Sequence, residues 1–268
     1  MDVKSKVFVV TGGGNGIGRE VVLGLLARGA HVAAVDLSEA GLAETAGLAG
    51  AEPGKLTTHT LSVTDREAVL ALPSEVSKAH GQIDGVLNVA GIIQPFVKLT
   101  ELDFDAIERV FNVNFWGVVN MTKAFLPNLM ERPEAAVLNV SSMGGFLPVP
   151  GQAAYGASKA AVKLFTEALY AESLGTNLTV TIVFPGGVGT NITANSGVEM
   201  PVMQGAEPGK GYKTTSPEDA GRQIIEGLEK GAFRVVVGSD AKFMDRFSRL
   251  SPRRATELIA KKMKDLLG

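Results

Sequence analysis

The sequence predicts an open α/β sheet of seven parallel strands, doubly wound, with helices on both faces. Three observations carry that prediction. Short runs rich in Val and Ile alternate with amphipathic stretches about six times along the 268 residues, and strand–helix alternation implies parallel pairing. The strands are continuously apolar, as expected where both faces of a sheet are covered. A glycine-rich turn follows the first strand and opens the first helix, which favours an open sheet over an eight-fold barrel.

The elements follow in order. Residues 7–10 form a short apolar strand closed by Thr11 and glycines. Residues 17–28 have helical spacing through Val21, Val22, Leu25 and Leu26, and Gly29 is a stop signal. Residues 32–35 are a second strand, ended by Asp36. Residues 38–50 read as a helix capped by Ser38, and 56–63 as a third strand. Thr64 or Asp65 caps the next helix, and 83–89 is a fourth strand. One long helix is expected from about 103 to 130, with Pro133 just beyond it. Residues 136–140 are a fifth strand, 155–174 a strongly periodic helix and 178–184 a sixth strand. A helix at 217–230 and a strand at 233–237 complete the pattern. Two segments break the rhythm. Residues 186–215 show little periodicity, and loops that long are commonly functional. Residues 240–268 read as a helical tail rich in Lys and Arg. No linker interrupts the chain, so 1–268 is expected to be a single domain.

Composition narrows the function. Hydrophobic residues make up 45% and charged residues 20% of the chain, which excludes a disordered protein. The net charge of −2 offers no basic field for nucleic acid. The absence of cysteine removes disulfides, thiolate zinc sites and cysteine nucleophiles. No apolar run approaches the ~18 residues of a membrane span. The first six residues lead straight into a strand rather than a signal peptide. A cytoplasmic protein is the expectation.

Two groups of residues carry chemistry. The first is Thr11-Gly12-Gly13-Gly14-Asn15-Gly16-Ile17-Gly18. Glycines let backbone N–H groups approach an anion, and the helix N-terminus adds positive potential where a pyrophosphate would sit. The spacing, G-x-x-x-G-x-G on Gly12, Gly16 and Gly18, suits a dinucleotide; a flexible turn is the plain alternative. Asp36, at the end of the second strand, suits an adenosine ribose and would repel a 2′-phosphate. Leu37 and Asn15 supply no cation, so NAD is expected rather than NADP. A simple helix cap is the alternative for Asp36.

The second group is Ser142, Tyr155 and Lys159. Tyr155 and Lys159 are four apart and share a helix face. A phenol with a pKa near 10 is a poor base at neutral pH. An ammonium at ~4 Å would favour the phenolate by about 4 kcal/mol at an effective dielectric of ~20, which is roughly three pKa units. Alone, this spacing is common on helix surfaces. Ser142 follows the fifth strand, thirteen residues earlier, and so faces the same crevice as the glycine loop. Its hydroxyl suits a substrate oxygen; no histidine or nucleophile elbow supports acyl transfer. His31, His59 and His80 lack metal-ligand spacing and are expected to be structural or solvated.

On these residues the chain resembles the short-chain dehydrogenase/reductase family in its single-domain form, over roughly residues 6–237. The glycine loop, Asn88-Val89-Ala90-Gly91, Asn114, Ser142, Tyr155, Lys159 and Pro185-Gly186 fall in the family's order. The resemblance implies a Rossmann-like fold, NAD as cofactor, and a homotetramer or dimer. It makes Tyr155 the catalytic acid/base and Ser142 the holder of the reacting oxygen. Lys159 would lower the phenol's pKa and bind the nicotinamide ribose. Asn114 would carry a water-mediated proton relay to the lysine. Gly12, Asn15, Gly16 and Gly18 would hold the pyrophosphate, and Ile17 would follow that loop in the cofactor site. Asp36 and Val63 would meet the adenosine, and Asn88, Ala90 and Gly91 would flank it while supporting the sheet. Pro185, Gly186, Val188 and Thr190 would meet the nicotinamide side. Three departures stand out. Ser62 stands where the family often has Asp, Val89 replaces a second Asn, and Gly187 and Gly189 loosen the stretch after Pro185.

The expected reaction is alcohol–ketone interconversion by hydride transfer on a small-molecule substrate. Segment 186–215 would form a substrate lid. Its Val198, Met200, Val202, Met203 and Tyr212, with Phe96, Phe146 and Leu147, suggest an apolar pocket for a bulky alcohol or ketone. Arg246, Arg249, Arg253, Arg254, Lys261 and Lys262 read as a solvated face or subunit contact. The alternative is a membrane-surface role aided by Phe243, Phe247, Leu250, Leu258 and Ile259. The alternative function is a non-catalytic dinucleotide-binding regulator or scaffold. An epimerase or dehydratase of the family's extended branch would need a longer chain.

Overall fold

The computed structural model describes residues 1–198 and 214–263. Its strands are β1 (Val7–Thr11), β2 (His31–Asp36), β3 (Leu56–Thr60), β4 (Gly85–Asn88), β5 (Ala135–Val140), β6 (Leu178–Pro185) and β7 (Arg234–Val237). They form one sheet in the order β3-β2-β1-β4-β5-β6-β7, and every pairing is parallel. The chain starts in the middle, winds out to β3, and returns to wind from β4 to β7. The winding reverses between β1 and β4. Crossovers leave those two strands in opposite directions there, and a crevice opens beyond their carboxyl ends.

The helices are α1 (Gly16–Ala27), α2 (Glu39–Ala49), α3 (Arg66–His80), α4 (Phe104–Phe111), α5 (Gly117–Met130), α6 (Ala153–Glu172), α7 (Ile192–Ser196), α8 (Pro217–Glu229), α9 (Ser239–Leu250) and α10 (Pro252–Lys262). Alternation along β1 shows why both sheet faces are apolar. Phe8 and Val10 join a cluster with Val22 and Leu25 of α1, Leu42 of α2, and Ile224 and Ile225 of α8. Val7 and Val9 join the opposite cluster with Val69 and Leu72 of α3, and Met121 and Phe125 of α5. Each fully buried side chain of this size contributes about 1.5–3 kcal/mol.

Several ends follow the local chemistry. Ser38 caps α2 by accepting from Gly41 N at 3.0 Å. Asp65, not Thr64, caps α3 by accepting from Ala68 N at 3.1 Å. Asp84 fastens the amino end of the sheet, accepting from Val7 N at 2.9 Å and Arg132 Nε at 2.8 Å.

The long helix expected over 103–130 is not continuous. A π-helical turn, Asn112–Trp116, separates α4 from α5. Such a turn inserts a residue and re-aims the side chains around it; here it carries buried Asn114. β3 stops at Thr60 rather than 63, and 61–63 leave the sheet toward the crevice. Two short features appear where periodicity was absent: α7, and a bridge between Val188 and Thr215. The tail is two helices that break at Ser251–Pro252.

Behind the crevice, a polar ladder crosses the buried sheet. Asn88 Nδ2 donates to Asn139 Oδ1 at 2.8 Å, and Asn139 Nδ2 donates to Thr166 Oγ1 of α6 at 2.9 Å. The ladder ties β4 and β5 to the helix that bears Tyr155. Truncating Asn139→Ala leaves buried groups unpaired, and should lower the unfolding free energy by about 1–3 kcal/mol. Urea denaturation checks this.

Candidate active site

The glycine loop turns at the carboxyl end of β1. Gly12 has φ +72, a conformation costly for any residue with a Cβ. A Cβ on Gly18 would stand 2.0 Å from Gly12 O, so the first turn of α1 can close onto the loop only as glycine. Thr11 Oγ1 accepts from Val89 N at 3.0 Å and Ala90 N at 3.1 Å, which clamps the exits of β1 and β4 together. A cleft of about 470 Å³ runs along these exits. Asp36, Ser38 and 61–63 line one end, the glycine loop the middle, and Ala90–Gly91–Ile92, Val113, Thr190, Ile192 and Asn195 the other.

Asp36 is held in place. Its Oδ2 accepts from Gly14 N and its Oδ1 from Ser38 N, both at 2.9 Å. Each oxygen keeps acceptor capacity for a hydroxyl. Arg19 is tied to Gly14 O at 2.6 Å, Thr45 Oγ1 at 3.0 Å and Glu44 at 2.6 Å. Its guanidinium is thereby engaged beneath the loop. Backbone-lined loop, fixed carboxylate and elongated shape together fit a dinucleotide.

The second group meets this cleft at Gly91. Asn114 is fully buried, and its Oδ1 accepts from Ile92 N while its Nδ2 donates to Ile92 O, each at 2.9 Å. Nδ2 also donates to Ser158 Oγ at 3.0 Å. Lys159 is buried, and its Nζ donates to Val140 O at 3.0 Å. A Cβ on Gly91 would stand 3.0 Å from Lys159 Nζ and 3.2 Å from Asn114 Oδ1. Ser142 caps the short turn after β5, accepting from Gly144 N at 3.0 Å, and hydrogen-bonds the Tyr155 phenol. The neighbouring Ser141 instead donates to Lys159 O at 2.7 Å, which makes it a structural tie.

The electrostatics depart from the expected lowering of the phenol. Burial raises the Tyr155 pKa above 10, and the Ser142 hydrogen bond opposes it. Burial also lowers Lys159 to about 8. Desolvation disfavours the charged form of each group, so both move toward neutrality.

The other expected site residues fall in different places. Gly12, Asn15, Gly16, Ile17, Gly18, Asp36, Val63, Ala90, Gly91 and Thr190 line the cleft. Asn88 uses its side chain in the ladder behind it. Pro185 ends β6 and Gly186 follows it, both outside the lining, and Gly187 N donates to Asp240 Oδ2 of α9 at 2.8 Å. Val188 pairs with Thr215. Sequence reasoning missed Ile92, Val113, Ile192 and Asn195 as lining residues. Val113 adjoins Asn114, but nothing in the aperiodic segment marks Ile192 or Asn195. Of the apolar pocket candidates, Leu147 is buried against Met244, Ala255 and Ile259, and Phe146 packs on Phe184. These two support the C-terminal helices and do not line the cleft. Met200, Val202, Met203 and Tyr212 lie outside the described residues. The three histidines gather away from the cleft, with His59 and His80 on Thr57 Oγ1 at 3.1 and 2.9 Å and the rings of His31 and His80 5.9 Å apart.

Residues 6–200 match the family model described as short chain dehydrogenase. The chain belongs to the short-chain dehydrogenase family. SadH of Mycobacterium tuberculosis (strain ATCC 25618 / H37Rv) is 40% identical over 262 residues, covering 96% of this chain and 95% of that protein. The 1-deoxy-11-beta-hydroxypentalenate dehydrogenase of Streptomyces exfoliatus is 33% identical over 247 residues, covering 90% and 86%. The crystal structure of a short-chain dehydrogenase/reductase from Burkholderia phymatum in complex with NAD superposes with a TM-score of 0.84. It covers 94% of this chain and 96% of that one. At 23% identity that likeness speaks to the fold and not to cofactor choice. As a short-chain dehydrogenase the protein is an oxidoreductase of alcohols and ketones, using a nicotinamide dinucleotide of the NAD(P) type. No described helix is long and apolar enough to cross a membrane.

The Lys159 shift sets a pH dependence. Its folded pKa, about 8, lies below the ordinary 10.5. Between those values the unfolded chain binds more protons, so this group makes stability rise with pH across that window and contributes a constant penalty below it. The rise should reach up to about 3 kcal/mol and vanish in Lys159→Met. Denaturant titrations across the window check it; equal slopes in both proteins would refute it.

Proposed function

We propose that the protein is an NAD-preferring dehydrogenase that interconverts a secondary alcohol and its ketone on a bulky, apolar substrate. One observation supports this above others: Lys159 and Asn114 meet at Gly91 on the wall of the cleft, and Ser142 and Tyr155 lie together beside Gly144, with Tyr155 one turn before Lys159 on α6. Bound NAD supplies the hydride acceptor in oxidation, and NADH the donor in reduction. Ser142 Oγ holds the substrate oxygen. Tyr155 exchanges the proton with that oxygen. The phenol is protonated at neutral pH, so it is set to donate to a ketone. To act as a base it needs positive charge brought against it. Lys159 carries such a charge below its pKa of about 8, and oxidised nicotinamide adds another. Asn114 orders the path by which the proton leaves past Lys159.

The NAD preference rests on Asp36, whose anchored carboxylate suits two ribose hydroxyls and opposes a 2′-phosphate. The bulky substrate class rests on the apolar residues of segment 186–215, which would form a lid, and on the named substrate of the Streptomyces relative. An oligomer, tetramer or dimer, accords with Phe104, Trp116 and Leu164, large apolar side chains left exposed on α4, the π turn and α6.

Two measurements test the reading. NADH formation from a panel of secondary alcohols should fall about 10²–10⁴-fold in Tyr155→Phe, with NAD affinity retained. NAD binding without turnover on a broad panel would favour the regulator. Asp36→Ala should weaken NAD about 10–100-fold, the worth of hydrogen bonds to a charged group, and spare NADP. A wild-type preference for NADP would overturn the cofactor assignment.

A further inference from the structure

The catalytic helix has no cap of its own. At a helix start the N-cap side chain ordinarily accepts from the second or third backbone N–H. The N-cap residue of α6 is Gln152, and its side chain makes no such bond. The acceptor comes instead from Gln94, about sixty residues earlier. Gln94 Oε1 accepts from Ala154 N at 2.7 Å and from Tyr155 N at 3.0 Å. The second of these is the backbone of the phenol-bearing residue itself.

The same side chain is held on every side. Gln94 Nε2 donates to Gly151 O, and Gln152 Nε2 donates back to Gln94 O, both at 2.9 Å. Gln94 is only 1% exposed, so water cannot replace these bonds. The residues before it are equally fastened. Ile92 is bonded through both backbone groups to Asn114, and Ile93 N donates to Ser196 Oγ of α7 at 3.0 Å. Ile92 lines the cofactor cleft. One three-residue segment thus links the cleft wall, the lid-side helix α7 and the start of α6.

We propose that Gln94 is a positioning residue: by capping α6 in trans it sets the height and angle of Tyr155 against the cleft wall at Gly91 and Ile92. The assignment rests on the reading of Tyr155 as the acid/base. A displacement of about 1 Å at a reacting group is enough to cost on the order of 10²-fold in rate.

The test compares wild type with Gln94→Leu, Gln94→Glu and Tyr155→Phe, by hydrogen exchange and by steady-state kinetics over pH. Gln94→Leu removes the acceptor. It should lose exchange protection at the Ala154 and Tyr155 amides, lower kcat about 10- to 100-fold, and shift the pH profile of kcat, with KM and NAD affinity within about 3-fold. Gln94→Glu keeps the acceptor at a helix N-terminus, where negative charge is favoured, but loses the donor to Gly151 O; it should recover protection at the Ala154 and Tyr155 amides relative to Gln94→Leu. Unchanged protection in Gln94→Leu overturns the proposal. So does an unchanged kcat and pH profile in a folded, NAD-binding Gln94→Leu protein, or a Gln94→Glu protein whose Ala154 and Tyr155 amides exchange as fast as in Gln94→Leu. Full activity in Tyr155→Phe is a different failure: it strikes the acid/base reading through a variant that leaves Gln94 intact. The exchange result at the α6 start still decides the capping.

Discussion

A buried asparagine pairs both halves of its amide with the backbone of a single residue, and the site is organised around that pairing. Asn114 satisfies Ile92 N and Ile92 O as a neighbouring strand would. β4 has ended at Asn88, so these backbone groups have no strand to bond, and burying them unpaired would be costly. The π turn brings Asn114 inward to do this. Its remaining N–H reaches Ser158 on α6. Sheet exit, the α4–α5 pair and α6 are thereby tied at one side chain, and Gly91 is placed against Lys159.

The charges in the site are set by burial more than by mutual attraction. Desolvation raises the phenol and lowers the ammonium, so each group is shifted toward its uncharged form, while Lys159 keeps its proton below about 8. Such a pair is poised for proton exchange. Positive charge brought against the phenol would oppose its upward shift. The Ser142 hydrogen bond favours the phenolate and so opposes the effect of burial.

At the adenosine end the arrangement is different. Asp36 accepts from two backbone N–H groups, and Arg19 is paired with Glu44. The cleft therefore changes character along its length, from a solvated carboxylate through uncharged backbone to a desolvated lysine. That gradient matches a ligand with hydroxyls at one end and a redox ring at the other.

Seven strands, their parallel pairing and the glycine loop were legible in the sequence, because each depends on local pattern: apolar runs, capping residues such as Ser38, and glycines where a Cβ would collide. Tyr155, Lys159 and Ser142 were legible through fixed spacing on one helix and one strand exit. Tertiary structure alone decided the break in the 103–130 helix, since periodicity over so short a π turn barely changes while hydrogen bonding to Ile92 determines the winding. It alone turned Phe146 and Leu147 toward the C-terminal helices, because packing partners one hundred residues away leave no mark on local composition. It also reversed the expected direction of the Tyr155 pKa, since desolvation depends on what surrounds a group in space. The role of Gln94 belongs with these: an acceptor sixty residues from the amides it caps becomes visible only when the chain brings them together.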